Sequence, residues 1–253
     1  MVGSAGKPRQ LPELSFASSP PRHHPLAAMK ASDYLTLPPS LARFAGYFRS
    51  DAPPWAWVAQ VDAALASLPE PPRRVFPPGV HVEGPVWLGE GVRLPAYATL
   101  VGPMWIGAGS EIRPGAFLRG GVIAGEGCVL GHVCEFKHCL LLDAVQVPHF
   151  NYVGDSVLGN RAHLGAGAIC SNLRLDQRNV VIRAGGAVHD TGLQKLGAIL
   201  GDGAEVGCNA VLNPGAVLGR RALVMPAMAF GGVLPEATIA HAPAAVRFLP
   251  RRD

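Results

Sequence analysis

A parallel β-helix, an all-β solenoid of short strands, is the fold this sequence predicts, and three observations predict it. Apolar residues recur at every sixth position from Phe76 through Val82, Leu88, Leu94, Leu100, Ile106, Ile112, Leu118, Ala124, Leu130 and Phe136 to Leu142. The series resumes at Val153, Leu158 and Leu164, and again at Leu200, Val206, Leu212, Leu218, Val224 and Phe230. Such a period matches neither a helix nor the alternation of a strand, and it marks a hexapeptide solenoid in which each sixth side chain points inward. A small residue follows many of these positions, as in Leu88-Gly89, Ile106-Gly107, Leu158-Gly159 and Leu164-Gly165, and lets the backbone turn a corner. Gly and Pro number 31 and 24 in a chain of 253 with only 16% charged residues. Joined to a period, that content means many turns rather than disorder.

Composition bounds the function classes. With 49% apolar residues the chain can fill a long core, and a formal net charge of +4 suits phosphorylated ligands without arguing for nucleic acid. The cysteines, Cys128, Cys134, Cys139, Cys170 and Cys208, are odd in number and form no C-x-x-C pair, which argues against a disulfide framework. No apolar run reaches transmembrane length and no signal-peptide core opens the chain, so the expectation is a cytoplasmic protein with no membrane or nucleic-acid partner.

The elements follow in order. Residues 1–35, rich in Pro, Ser, Arg and His, read as a disordered tail, with Met29 as an alternative start. A helical segment occupies 36–75, with one helix over 51–68. Asp51 is its expected cap, Pro53 and Pro54 suit its first turn, and Val58, Val61, Leu65 and Leu68 share one face. The solenoid spans 76–240, with roughly five coils to residue 172 and two more after residue 200, at about 18 residues per coil. Between them, at about 178–198, alternation around Gly185-Gly186 predicts a β-hairpin excursion. A basic tail, 241–253, ends in Arg247, Arg251 and Arg252.

The chemistry is expected where the repeat breaks, at 130–173, which holds two five-residue steps (Leu142 to Val147, Val153 to Leu158) and a dense set of His, Lys, Glu, Asn and Tyr. Taken singly, His149 reads as a surface histidine and Lys137 as a solvated charge. Taken together, HFNYVGDSVLG and LGAGAICSN resemble the H-x-x-Y-[LIV]-G-D and I-G-A-G-T motifs of the acetyltransferase half of the bifunctional enzymes that make UDP-N-acetylglucosamine. CEFKH matches that family's E-x-K segment, and KLGAILGDGAEVGCNAVLNPG is similar to the archaeal-type sugar-1-phosphate nucleotidylyltransferases. The resemblance covers about 85–235.

It implies a left-handed helix, a homotrimer with sites between subunits, acetyl-CoA as donor, an amino-sugar 1-phosphate as acceptor, and no metal. Position by position, it makes His149 the general base, Glu135 its orienting carboxylate, and Tyr152 and Asn172 the groups that position sugar and acetyl. The N–H near Ala166 becomes the oxyanion donor, and Lys195 and Cys208 fall on the CoA side. Lys137 and an arginine would hold phosphate. Arg113 lies in the family-like R-P-G but 24 residues before Lys137, whereas Arg119 lies 18 before it, one coil away, and is preferred. His163 replaces the family's usual Asn and Leu173 its usual aromatic, departures that bear on the acceptor sugar.

The first 75 residues are too few for a doubly wound nucleotidyltransferase domain and lack its Gly-rich loop, so a separate nucleotidyltransferase is the expected partner. Two other classes stay open. One is a non-catalytic trimeric scaffold that binds a sugar nucleotide or a protein. The other is a zinc enzyme like the γ-type carbonic anhydrases, prompted by His132, Cys134, His138 and Cys139.

Overall fold

The computed structural model describes residues 29–242. The expected tail over 1–28 and the arginines Arg247, Arg251 and Arg252 lie outside the described residues.

Short parallel strands stack into three flat sides. Side A carries Gly79–Glu83, Tyr97–Val101, Tyr152–Gly154, Ile169–Cys170, Val211–Leu212 and Ala229–Phe230. Side B carries Val86–Leu88, Met104–Ile106, Val157–Leu158, Ala198–Leu200, Ala216–Leu218 and Val233–Leu234. Two longer strands, Phe117–Ala124 and Glu135–Leu141, run from A around the corner into B. Side C holds Glu111–Ile112, Val129–His132, Gln146–His149, His163–Leu164, Glu205–Val206, Leu223–Val224 and Ile239–Ala240.

The inward residues stack on themselves: Val82 on Leu100, Leu100 on Leu118, Leu118 on Phe136, and Phe136 on Val153. An apolar central core results, and its burial is the main stabilising term. After the hairpin a partial third turn, ending at Ile239–Ala240, extends the two coils expected there.

The register slips once where the six-residue count did not expect it. Ala124 pairs with Leu141 rather than Leu142. Between the pairs Arg119–Lys137 and Val122–Cys139, one strand has Gly120 and Gly121 while the other has only His138. The first short step is therefore Phe136 to Leu141, not Leu142 to Val147; the second, Val153 to Leu158, is in register as expected. Two adjacent leucines concealed the slip, and Leu142 points outward into a second apolar cluster.

That second cluster is the outer surface of side B under the N-terminal segment. Leu41, Phe44, Trp57, Val58, Val61 and Leu65 cover Ile123, Leu140, Leu142, Val157, Ile199 and Val217. The single helix expected over 51–68 is instead two short helices, Ala56–Ala59 and Val61–Ala66, hinged at Gln60. Asp51 does not cap them; its carboxylate pairs with Arg49 at 2.8 Å. Residues 29–35, placed in the tail by composition, hold a short helix, Ala31–Tyr34, with Met29 and Ala31 buried. Arg220 pins this end through the carbonyls of Ser32 and Asp33 and the carboxylate of Asp202.

The hairpin forms as expected, Val181–Ala184 against Ala187–Asp190. Gly185 and Gly186 both have positive φ, 56° and 82°, the conformation a two-residue turn needs to follow strand twist. Val180 and Ile182 anchor it on side B, and the His189 ring lies 5.8 Å from that of Trp55. Among the described residues no helix is long and apolar enough to cross a membrane.

Candidate active site

Outward side chains of one solenoid side align in columns, so residues one coil apart sit side by side. On side A, Glu135 pairs with Tyr152, and Arg119 with Lys137. Arg119 thus shares a side with Lys137. Arg113 follows the side C strand Glu111–Ile112 and meets Glu111 at 3.4 Å.

The cluster is knitted by hydrogen bonds. Arg119 donates to Glu135 Oε1 from Nε at 2.8 Å and from Nη2 at 2.6 Å. Lys137 Nζ donates to both Asp155 oxygens, at 3.1 and 2.9 Å. His138 Nδ1 lies 3.0 Å from Asp155 Oδ1, and its Nε2 lies 3.6 Å from Asp62 on the helix Val61–Ala66. Asn172 donates from Nδ2 to Asp155 Oδ2, and the same atom lies 3.1 Å from Tyr152 Oη.

Burial would push the Asp155 carboxyl up, but hydrogen bonds from His138, Lys137 and Asn172 outweigh it and hold the acid below the usual carboxylate range. Burial, with the charges of Asp155 and Glu135, pushes the Tyr152 phenol above its ordinary value, so it remains a donor.

His149 stands at the end of side C, on Gln146–His149, with its side chain exposed and in register with His132. Its place is set by buried Asn151. That side chain accepts the His149 N–H at 3.1 Å and donates to the carbonyls of Gly165 and Ala168 at 2.7 and 3.2 Å. One amide thereby fixes His149 to the turn that bears Ala166. The Ala166 carbonyl accepts from Asn209 at 2.9 Å, while among the described residues its own N–H donates to no group. Phe150 follows His149 with φ 56° and an exposed ring, 6.3 Å from that of His149.

Other expected residues fall elsewhere. Within one chain Glu135 is engaged by Arg119, not by His149. His163 pairs with Gln146 and Glu205 along side C, away from the side A cluster. Lys195 is exposed beside Leu173, to which it is bridged, and Cys208 is exposed in the turn one coil past Ala166. Of the four residues behind the zinc reading, Cys134 and Cys139 point into the core and His132 is held by the Pro114 carbonyl at 2.8 Å. Among the described residues no three His, Cys, Asp or Glu side chains gather as a metal would need.

Three members of the cluster had no role from sequence: Asp155, His138 as its partner, and Asp62. Asp155 was visible as the last residue of Y-V-G-D, one short coil after His138.

Residues 100–223 match the family model described as the GMPPB C-terminal domain. The stretch fits a hexapeptide-repeat acetyltransferase domain. Among curated proteins, the bifunctional sugar-1-phosphate nucleotidylyltransferase/acetyltransferase of Sulfurisphaera tokodaii is 35% identical over 130 residues, 51% of this chain and 32% of that one. The bifunctional protein GlmU of Methanococcus vannielii is 30% identical over 162 residues, 64% of this chain and 39% of that one. This hexapeptide-repeat chain thus spans well under half the length of these relatives. The solved structure of an Arabidopsis UDP-N-acetylglucosamine acyltransferase aligns with 65% of this chain and 70% of that one, at 13% identity and a TM-score of 0.35, too distant to inform the site.

Proposed function

We propose that this chain is an acetyl-CoA-dependent N-acetyltransferase of a hexosamine 1-phosphate, acting in the cytoplasm as a homotrimer with sites between subunits. The observation that carries the reading is the side A cluster of Arg119, Lys137, Tyr152 and Asn172, which lies within the stretch that matches acetyltransferase relatives.

In this reading Arg119 and Lys137 hold the acceptor phosphate. Arg119 already spends Nε and Nη2 on Glu135, but its side chain is 38% exposed, which leaves the rest of the guanidinium for an anion. His149 takes the proton as the acceptor nitrogen bonds to the acetyl carbonyl carbon, and returns it to the departing thiolate. The Ala166 N–H meets the charge that develops on the carbonyl oxygen, and Asn172 orients the acetyl group. Lys195 and Cys208 line the path of the donor. Direct attack of the amine on a thioester calls for no metal.

The test is acetyl transfer from acetyl-CoA to a panel of amino sugars and their 1-phosphates, read by mass spectrometry of the product. One 1-phosphate is expected to react, and His149→Ala to lower kcat by about 10² or more with assembly intact. Turnover unchanged in that variant removes His149 from the mechanism.

One observation favours the non-catalytic scaffold instead. Both side A cations are paired within the chain, Arg119 with Glu135 and Lys137 with Asp155, so the cluster carries little net charge for a phosphate. A scaffold shows no thermal stabilisation by millimolar acetyl-CoA, whereas a specific binder does.

A further inference from the structure

Asp155 occupies the corner between sides A and B with φ 46°, a left-handed conformation that Asp tolerates better than most residues. Its side chain is 6% exposed. Every strong contact it makes is a hydrogen bond received. Lys137 and His138 come from the preceding coil, and Asn172 from the strand exit of the following one. A buried carboxylate costs several kcal/mol to desolvate unless its lone pairs are filled, and here four donor contacts fill them. Lys137 and Asn172 are otherwise flexible side chains on separate coils, and Asp155 is their shared fixed point.

We infer that Asp155 is the positioning residue of the site: its carboxylate sets Lys137 and Asn172 in one geometry and so joins grip on the acceptor to placement of the acetyl group. The inference rests on the acetyl-transfer reading above for the roles of those two residues. Asp155 is not itself a catalytic residue, since it is enclosed by its partners.

The coupling extends outward. His138 turns the corner with a single residue where the coil below uses Gly120 and Gly121, and this brings its ring between Asp155 and Asp62. A Cβ on Gly121 would lie 2.6 Å from Asp62 Oδ1 and 3.3 Å from the His138 ring, so the bare glycine is what admits the helix carboxylate. The N-terminal segment thereby touches the same network.

The experiment is a double-mutant cycle on kcat/KM in the full chain, with Asp155→Asn, Lys137→Met and the double variant. Asp155→Asn keeps the shape of the side chain and is expected to lower kcat/KM by about 10²-fold through misplacement of its partners. The double variant is expected to lose less than the two single losses combined, because Asp155 acts in part through Lys137 and in part through Asn172. Additive losses overturn the inference.

Should Asp155→Asn fail to fold, Lys137→Met with Asn172→Ala forms a second cycle that leaves the carboxylate in place. Coupling between the two is expected through their shared partner, and additivity overturns the inference there as well. A third arm needs no turnover: reductive methylation of Lys137, read by peptide mass spectrometry with Lys195 as internal reference. Lys137 is expected to react faster in Asp155→Asn than in the parent, and equal rates overturn the inference. If the parent acetylates no acceptor, the acetyl-transfer reading fails while this labelling still decides the Asp155–Lys137 link.

Discussion

The Lys137 ammonium sits 2.9 Å from the Asp155 carboxylate across one short coil, and that pair has a pH dependence of definite sign. The folded Asp155 holds its proton less tightly than an unfolded aspartate, whose pKa is about 3.9. The unfolded chain therefore binds more protons as pH falls toward the folded pKa. The pair's contribution is complete above the unfolded value and is lost as pH drops through the folded one. Melting temperatures measured from pH 2.5 to 6 are expected to fall steeply on the acid side, and less steeply for Asp155→Asn. Equal acid slopes in both proteins mean that Asp155 is not stabilised by its partners.

Glu135 distinguishes two arrangements of the site. In the chain it accepts two hydrogen bonds from Arg119. If that is its whole role, Glu135→Gln frees the guanidinium, and KM for the phosphorylated acceptor falls at constant kcat. The expected result is different, because Glu135 is also proposed to orient His149 of the assembled site: kcat drops by about 10-fold or more. Steady-state kinetics on one acceptor, with both parameters resolved, separates the two.

Four of the five cysteines are buried. Burial pushes Cys128 and Cys170 up to about 12, and raises Cys134 and Cys139 as well. Thiolate is the reactive form, so at pH 8 these four stay protonated and enclosed. A thiol reagent is expected to modify one cysteine per native chain, Cys208, and all five in denaturant. Rapid native modification of a second cysteine contradicts the inward placement of that residue.

Much of this was legible in the sequence because the solenoid repeats one geometric decision. Leu100, Leu118 and Phe136 each had to be inward, and the six-residue count found them without any knowledge of the fold. The count failed at Leu141 and Leu142, where two leucines serve two different apolar clusters and the pattern carries no information about which faces which. It also missed the helix Ala31–Tyr34, whose few apolar residues are buried by docking on side B rather than by any periodicity of their own. In the candidate site, Lys137 followed from the likeness of CEFKH to the family's E-x-K segment, and Arg119 from lying one coil length before it. Asp155 and Asp62 did not, since their importance lies in contacts between coils and between segments far apart in the chain.

Phe150 offers the last test, of assembly. A bulky residue in the left-handed region costs roughly 1–2 kcal/mol, and Phe150 bears that cost at φ 56° with 56% of its surface exposed. Val133, one coil earlier on the same corner, repeats the pattern with φ 49° and 51% exposure. Two exposed apolar side chains on strained backbone, beside His149, suit the subunit contact proposed next to the proposed acetyl-transfer site. Phe150→Gly removes the strain and the ring together. In an isolated chain it raises the melting temperature; in the proposed homotrimer it removes buried contact area and is expected to shift sedimentation velocity toward smaller species at micromolar concentration. A variant that keeps its assembly state and simply melts higher places Phe150 outside any contact between subunits.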